Sequence, residues 1–168
     1  MVAYLKRMPA GIPGNPTRNE HSTIEPQMIT PNGTTGAPNA YGVAGQIDAT
    51  SGQFRLINSS DTDAYGVLVR PYPTSNVNTS DGLGVSPPPL SGPCNVMVRG
   101  YIMVKLRGAT AAKKGGTVYV WFAASSGAHV IGGFEAGATG GSTLALPDKY
   151  YFTGPADADG NCEIAVNI

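Results

Sequence analysis

The stretch CNVMVRGYIMVKLR, residues Cys94–Arg107, decides the fold class of this chain. Every even-numbered position in it is apolar or small, whereas the odd-numbered positions include all three of its basic residues. Such alternation with period two predicts a half-buried β-strand, and Gly100 near its middle predicts a bend or bulge. Three apolar or aromatic residues fall on the otherwise polar side, so we expect another strand, the N-terminal segment or a neighbouring subunit to cover Met97, Tyr101 and Met103.

The rest of the chain repeats the strand pattern in shorter pieces. Tyr65–Tyr72 alternates in the same way, and Thr117–Ala124 is apolar on both faces. The 23 glycines and 14 prolines favour many short strands joined by turns, and no stretch shows a helical apolar stripe. Six to eight strands predict an all-β protein, either a jelly-roll-like sandwich or a small β-barrel.

The first 40 residues differ from this pattern. They are rich in proline and glycine, have few apolar anchors and show neither strand nor helix periodicity. A segment of this kind cannot form its own core, so we predict a long extended N-terminal arm over residues 1–40, in front of a single β-domain over residues 41–168. Ordering the arm costs roughly 1 kcal/mol or more per residue, so we expect contact with a partner to hold it.

Charge and hydropathy narrow the class of partner. Charged residues make up 13% of the chain, and eleven acidic residues balance eleven basic ones. This balance argues against binding to nucleic acid or to a membrane surface, and near-zero net charge promotes self-association. No signal peptide or membrane-spanning stretch is visible, so we expect a protein that is made and used inside a cell.

The segment Asp157–Asn161, DADGN, places oxygen-bearing side chains at alternate positions, as a calcium loop of the EF-hand type does at its start. That loop needs glycine at its sixth position and glutamate at its twelfth, where this chain has Cys162 and Ile168. Asp159-Gly160 is also a strong turn signal. We predict a turn that leads into a final strand, with an adventitious cation site as the alternative.

Catalytic and cofactor motifs are missing from the sequence. The two histidines, His21 and His129, belong to no metal-binding or nucleophile pattern. We therefore expect no enzyme, no cofactor and no metal, with a hydrolase of unrecognised site as the least favoured alternative. Cys94 and Cys162 each begin a strand on its apolar side, which favours buried free thiols over a disulfide.

Four segments together resemble the structural cement proteins, also called capsid decoration proteins, of tailed bacteriophages. The resemblance runs from about Asp63 to the C-terminus, and none of its motifs is catalytic. It is carried, in this order along the chain, by YGVLVRPYPT (Tyr65–Thr74), VRGYIMVKL (Val98–Leu106), KKGGTVYV (Lys113–Val120) and YFTGPADADGNCEIAVNI (Tyr151–Ile168).

The resemblance implies a virion structural protein that is made in the host bacterial cytoplasm and binds the outer capsid surface. Its expected partners are the major capsid protein and further copies of itself, as a dimer or trimer, and its expected role is to hold neighbouring capsid subunits together against internal pressure. The alternative is a glycan- or receptor-binding β-domain displayed on the virion.

Candidate contact residues follow from exposure and chemistry. The apolar anchors of the arm and the arginines of predicted exposed parity are candidates for capsid contact: Tyr4, Ile12, Ile24, Met28, Ile29, Arg70, Arg99 and Arg107. A solvated sheet face accounts for the arginines equally well. Candidates for a subunit interface, with ordinary core packing as the alternative, are Met97, Tyr101, Met103 and Trp121.

Overall fold

The computed structural model describes residues 11–71 and 87–168, and this part of the chain confirms the predicted all-β class. No helix in these ranges has the length and apolarity to cross a membrane. The described ranges contain a 3-10 turn at Asn19–His21 and the strands β1 (Thr23–Ile29), β2 (Ala44–Ile47), β3 (Phe54–Leu56), β4 (Gly66–Val69), β5 (Gly92–Arg107), β6 (Tyr119–Trp121), β7 (Phe134–Glu135), β8 (Thr143–Ala145), β9 (Tyr151–Phe152) and β10 (Asn161–Val166).

The first five strands close into a small barrel. They are hydrogen-bonded in the order β1-β3-β2-β4-β5, and β5 pairs again with β1, so the sheet returns to its starting strand. Of the two architectures that the sequence left open, the barrel is the one observed. Inward-facing side chains pack as one cluster, the barrel core, which comprises Ile29, Tyr41, Val43, Phe54, Leu56, Leu68, Cys94 and Val96.

The remaining strands cover one side of the barrel. The second half of β5 pairs with β10, which pairs with β9, and the end of β5 pairs with β7 and through it with β6 and β8. Between these strands and the barrel lies a second apolar cluster, the outer core. It includes fully buried Phe134 and Phe152, and burial of each such side chain contributes about 1.5–3 kcal/mol.

Strand β5 belongs to both layers because its side chains change faces near Gly100. Val96 packs in the barrel core and Met97 in the outer core, but beyond Gly100 the even-numbered Ile102 also faces the outer core. The pairing with β1 skips Val98, and the backbone of Gly100 has a φ of 134°. The predicted bulge is therefore confirmed, and it lets one strand serve two cores.

The N-terminal segment is extended, but residues 14–29 lie antiparallel along β5 of the same chain. Gly14 N donates to Met103 O at 2.8 Å, and β1 continues this pairing as far as Gly92. The expectation that a partner holds the segment is wrong for these residues, because main-chain pairing and the buried side chain of Ile29 fix them to the barrel. Independent folding of residues 41–168 stays a prediction.

The cysteines and the acidic turn agree with their sequence patterns. Cys94 lies in the barrel core and Cys162 in the outer core, both as free thiols. Asp157 Oδ1 accepts hydrogen bonds from the backbone N–H of Asp159 at 3.0 Å and of Asn161 at 2.7 Å. The carboxylate thus closes the predicted turn that leads into β10.

Candidate partner-contact site

The apolar contact candidates of the N-terminal segment differ in their accessibility. Tyr4 lies outside the described residues. Ile24 and Met28 are 40% and 50% exposed on β1, and Ile12 is half-buried. Ile29 is instead a core residue, because it is 1% exposed and its side chain points into the barrel.

Three of the four subunit-interface candidates are also core residues. Met97 faces the outer core because the strand inverts its faces at Gly100. Met103 is 2% exposed at the point where the N-terminal segment pairs with β5, and Trp121 is 6% exposed and stacks on His129 with ring centroids 4.2 Å apart. For these three the core-packing alternative holds. Tyr101 is half-buried under the guanidinium of Arg18, 3.8 Å from the ring centroid.

The predicted contact arginines separate into two places. Arg99 is exposed on β5. Arg70, which follows β4, and Arg107, at the end of β5, line one cavity of about 210 Å³ together with Lys105. We call this the basic cavity. Two further lining residues, Asn39 and Pro87, are exposed, so the cavity opens to the surface.

Two glycines let separate segments approach closely enough to form the wall of the basic cavity. A Cβ atom on Gly42 would lie 2.7 Å from Gly14 N, and a Cβ atom on Gly14 would lie 2.8 Å from the Cβ of Tyr41. Both glycines have positive φ, 72° for Gly42 and 90° for Gly14. The N-terminal segment therefore packs directly against the residues that precede β2, and Pro13 and Tyr41 both reach the cavity.

The cations of the basic cavity are partly removed from water. Burial lowers the pKa of Arg107 and of Arg70, and in Arg70 the nearby Tyr41 hydroxyl partly opposes this effect. Arg70 lies over the Tyr41 ring at 4.5 Å and donates from Nε to Pro13 O at 3.2 Å. The Nε of Arg107 is buried and makes no hydrogen bond within residues 11–71 and 87–168.

Among the residues that the structure describes, the lining of the basic cavity contains no carboxylate, although the chain as a whole has equal numbers of acidic and basic residues. Lys105 Nζ donates to the main-chain oxygen of Asp159, and none of the ion pairs within the described ranges involves Lys105 or Arg107. A half-buried guanidinium with unused donors is suited to bind a carboxylate in bidentate geometry.

Lys105 is the one of the three cavity cations that is not among the contact candidates predicted from the sequence. Its signal was present, since Lys105 and Arg107 stand two positions apart on the same strand and therefore share a face. No local sequence pattern predicts that Arg70 lies near Lys105 and Arg107, because Arg70 follows a different strand, β4.

A separate polar cluster fastens the N-terminal segment to β10. Glu163 on β10 accepts hydrogen bonds from Thr17, from Arg18 Nη2 at 2.8 Å and from Thr153 Oγ1 at 2.6 Å. Burial raises the pKa of Glu163, but these hydrogen bonds and the Arg18 charge outweigh it, so the pKa lies below its usual range. Every partner belongs to this chain, so the cluster is structural.

The buried carboxylate of Glu135 has a similar role. It is 2% exposed, contacts His129 Nδ1 and accepts a hydrogen bond from Thr139 Oγ1 at 3.1 Å. A Cβ atom on Gly108 would lie 3.3 Å from Glu135 Oε2. These contacts join the loops on either side of β7 to the end of β5.

Comparison with known proteins identifies a matching protein family and a solved structure with a similar fold. A sequence model described as XM1 gp53 minor capsid protein matches residues 1–166. A chain from a solved structure, "The capsid of Myoviridae Phage XM1", superposes with a TM-score of 0.70, is 17% identical, and covers 98% of this chain and 95% of its own length. No curated protein matches the chain.

Proposed function

Because this chain belongs to the XM1 gp53 minor capsid protein family, and is therefore a structural component of a phage virion, we propose that it cements the capsid. In this role it binds the outer surface of the shell and holds neighbouring major capsid subunits together. The observation that supports the proposal is the family match over residues 1–166. At 17% identity, the structural likeness supports the fold alone.

Mass action explains how a small β-protein strengthens a shell. A protein that binds the assembled lattice, and does not bind its free subunits, stabilises the lattice by RT ln(1 + [L]/Kd), about 2.7 kcal/mol per site at a hundredfold excess over Kd. We further propose a dimer or trimer at a symmetry axis, since one bound copy then raises the effective concentration of the others. The exposed side chains of Ile24 and Met28 supply apolar contact area for the shell.

Co-sedimentation with shells assembled from the major capsid protein of the same phage tests this function. We expect saturable binding at a fixed number of copies per lattice unit and a higher melting temperature of the decorated shells. If the protein stays in the supernatant and the melting curve does not move, the cement function is wrong, and binding on a glycan array becomes the experiment to perform.

A further inference from the structure

The basic cavity has features of a binding site for an anionic group. Its cations come from two strands, Arg70 after β4 and Lys105 and Arg107 on β5, and closely packed main chain at Gly14 and Gly42 holds its wall. Arg107 is half-buried and has no counter-charge among the described residues, which costs free energy that a partner carboxylate offsets.

We propose that the basic cavity receives an acidic side chain of a neighbouring shell subunit, whose carboxylate pairs with Arg107. This inference rests on the proposed cement function and names the chemistry of the contact. Arg107 lines the cavity, and within the described residues it forms no ion pair and its Nε has no hydrogen-bond partner. Arg70, already placed by Tyr41 and Pro13, contributes positive charge to the wall.

The size and the charge of the cavity suit this occupant. Its volume of about 210 Å³ exceeds the ~150 Å³ of an engineered cavity that holds benzene, so an aspartate or glutamate side chain fits. The described lining includes Lys105 and Arg107 and no carboxylate, so the cavity favours an anion although the net charge of the chain is zero. Removing one partner from a buried charge pair is expensive, so the contact discriminates strongly between partners.

The deciding experiment compares the wild-type protein with Arg107→Met in co-sedimentation with the shells, over a range of protein concentrations. We expect the variant to bind at least about tenfold more weakly. We also expect the free variant to melt at the same temperature as the wild type or higher, because the substitution removes a half-buried charge that has no counter-charge in the described part of the chain. A purely structural arginine would give the opposite result, a lower melting temperature.

Two further variants control the comparison. Lys114→Met removes one positive charge from an exposed turn outside the cavity and should leave shell binding within about twofold of the wild type, since exposed charges contribute little. Lys105→Met removes a second cavity cation and should weaken binding and reduce its dependence on salt. If Arg107→Met does not fold, Lys105→Met decides the question.

The outcomes separate this inference from the function on which it rests. If the wild type does not bind the shells, both proposals are wrong. If the wild type binds and Arg107→Met and Lys105→Met bind equally well, only the cavity assignment is wrong. If Arg107→Met changes the oligomeric state in analytical ultracentrifugation without shells, the occupant is a second copy of this chain and the assignment to a shell subunit is wrong.

Discussion

At the scale of single residues, Gly100 is the position on which the fold depends most directly. Its φ of 134° lies in the region that favours glycine. A Cβ atom there would also lie 2.9 Å from Ser22 Oγ and 3.0 Å from Ser22 Cα, because the N-terminal segment lies directly alongside β5 at this point. One glycine therefore permits both the change of faces in β5 and the close passage of the segment that closes the barrel.

We expect Gly100→Ala to lower the free energy of unfolding by about 2 kcal/mol or more, since it adds backbone strain and a contact that main chain must relieve. Urea unfolding measures the change. Gly140→Ala is the matched control, because a Cβ atom there meets nothing within 4 Å, and it should stay within about 0.5 kcal/mol of the wild type. Equal stability of the two variants would contradict this account of Gly100.

At the scale of elements, the two faces of strand β1 differ in exposure. Ile29 faces the barrel core and is 1% exposed, whereas its neighbour Met28 is 50% exposed. The strand pairs with β5 along its length, but with β3 only at Ile29. A proline is compatible with such a partly open strand, which explains why Pro26 stands inside it.

Alanine substitution at these adjacent positions should separate stability from attachment. Ile29→Ala should destabilise the free protein by about 2–4 kcal/mol, because it leaves a cavity in the barrel core. Met28→Ala should change stability by less than about 0.5 kcal/mol and weaken shell binding. Thermal melting and co-sedimentation of both variants measure this, and a Met28→Ala protein that binds shells like the wild type would remove Met28 from the contact surface.

The sequence predicted those elements whose pattern is local. The alternation in β5, the bulge at Gly100 and the turn at Asp157–Asn161 each depend on a few neighbouring residues. Strand β1 was missed because its partner β5 lies far along the chain, and its own composition resembles a loop. The alternating pattern places Met97 on an outer face, because simple alternation does not include the change of faces at Gly100 or the second apolar layer.

The candidate site was predictable only in part. Arg70 and Arg107 were recognised as contact candidates by residue type, but their meeting in one cavity depends on how β4 and β5 pair. In that pairing Val69 lies opposite Asn95, which is twelve residues before Arg107. No local sequence pattern therefore predicts that Arg70 and Arg107 lie close together. The exposure of Met28 and the burial of Ile29 likewise required the closed barrel.

At the scale of the whole molecule, hydrogen-bonded carboxylates fix loops and segments in place, one locally and one across the fold. Asp61 binds Arg55 with two hydrogen bonds of 2.8 Å beside the barrel, and Glu163 binds the N-terminal segment. Burial raises the pKa of Asp61, but the hydrogen bonds from Arg55 and from the backbone of Asn58 outweigh it, so its pKa, like that of Glu163, lies below the usual value.

The stability of the protein should therefore fall in acid. A carboxylate whose pKa is lower in the folded state stabilises the protein above the pKa of the unfolded chain, about 4, and this contribution is lost as the pH falls through the folded-state pKa. We expect a nearly constant melting temperature from pH 7 to 5 and a decrease from pH 4 to 2. Asp61→Asn should melt lower at pH 7 and show a smaller decrease in acid. A wild-type melting temperature that rises below pH 4 would contradict the assignment.

The pairing of β1 with β5 also sets an order of events during protein synthesis. Thr23 pairs opposite Arg99, so about 75 further residues must be added before its partner exists, roughly 4–15 s at the usual rates of translation. During this interval the apolar side chain of Ile29 has no barrel to enter. During synthesis the nascent chain therefore carries an unpaired strand for several seconds. We expect the yield of folded protein to depend on the temperature and rate of expression even though the completed fold is stable.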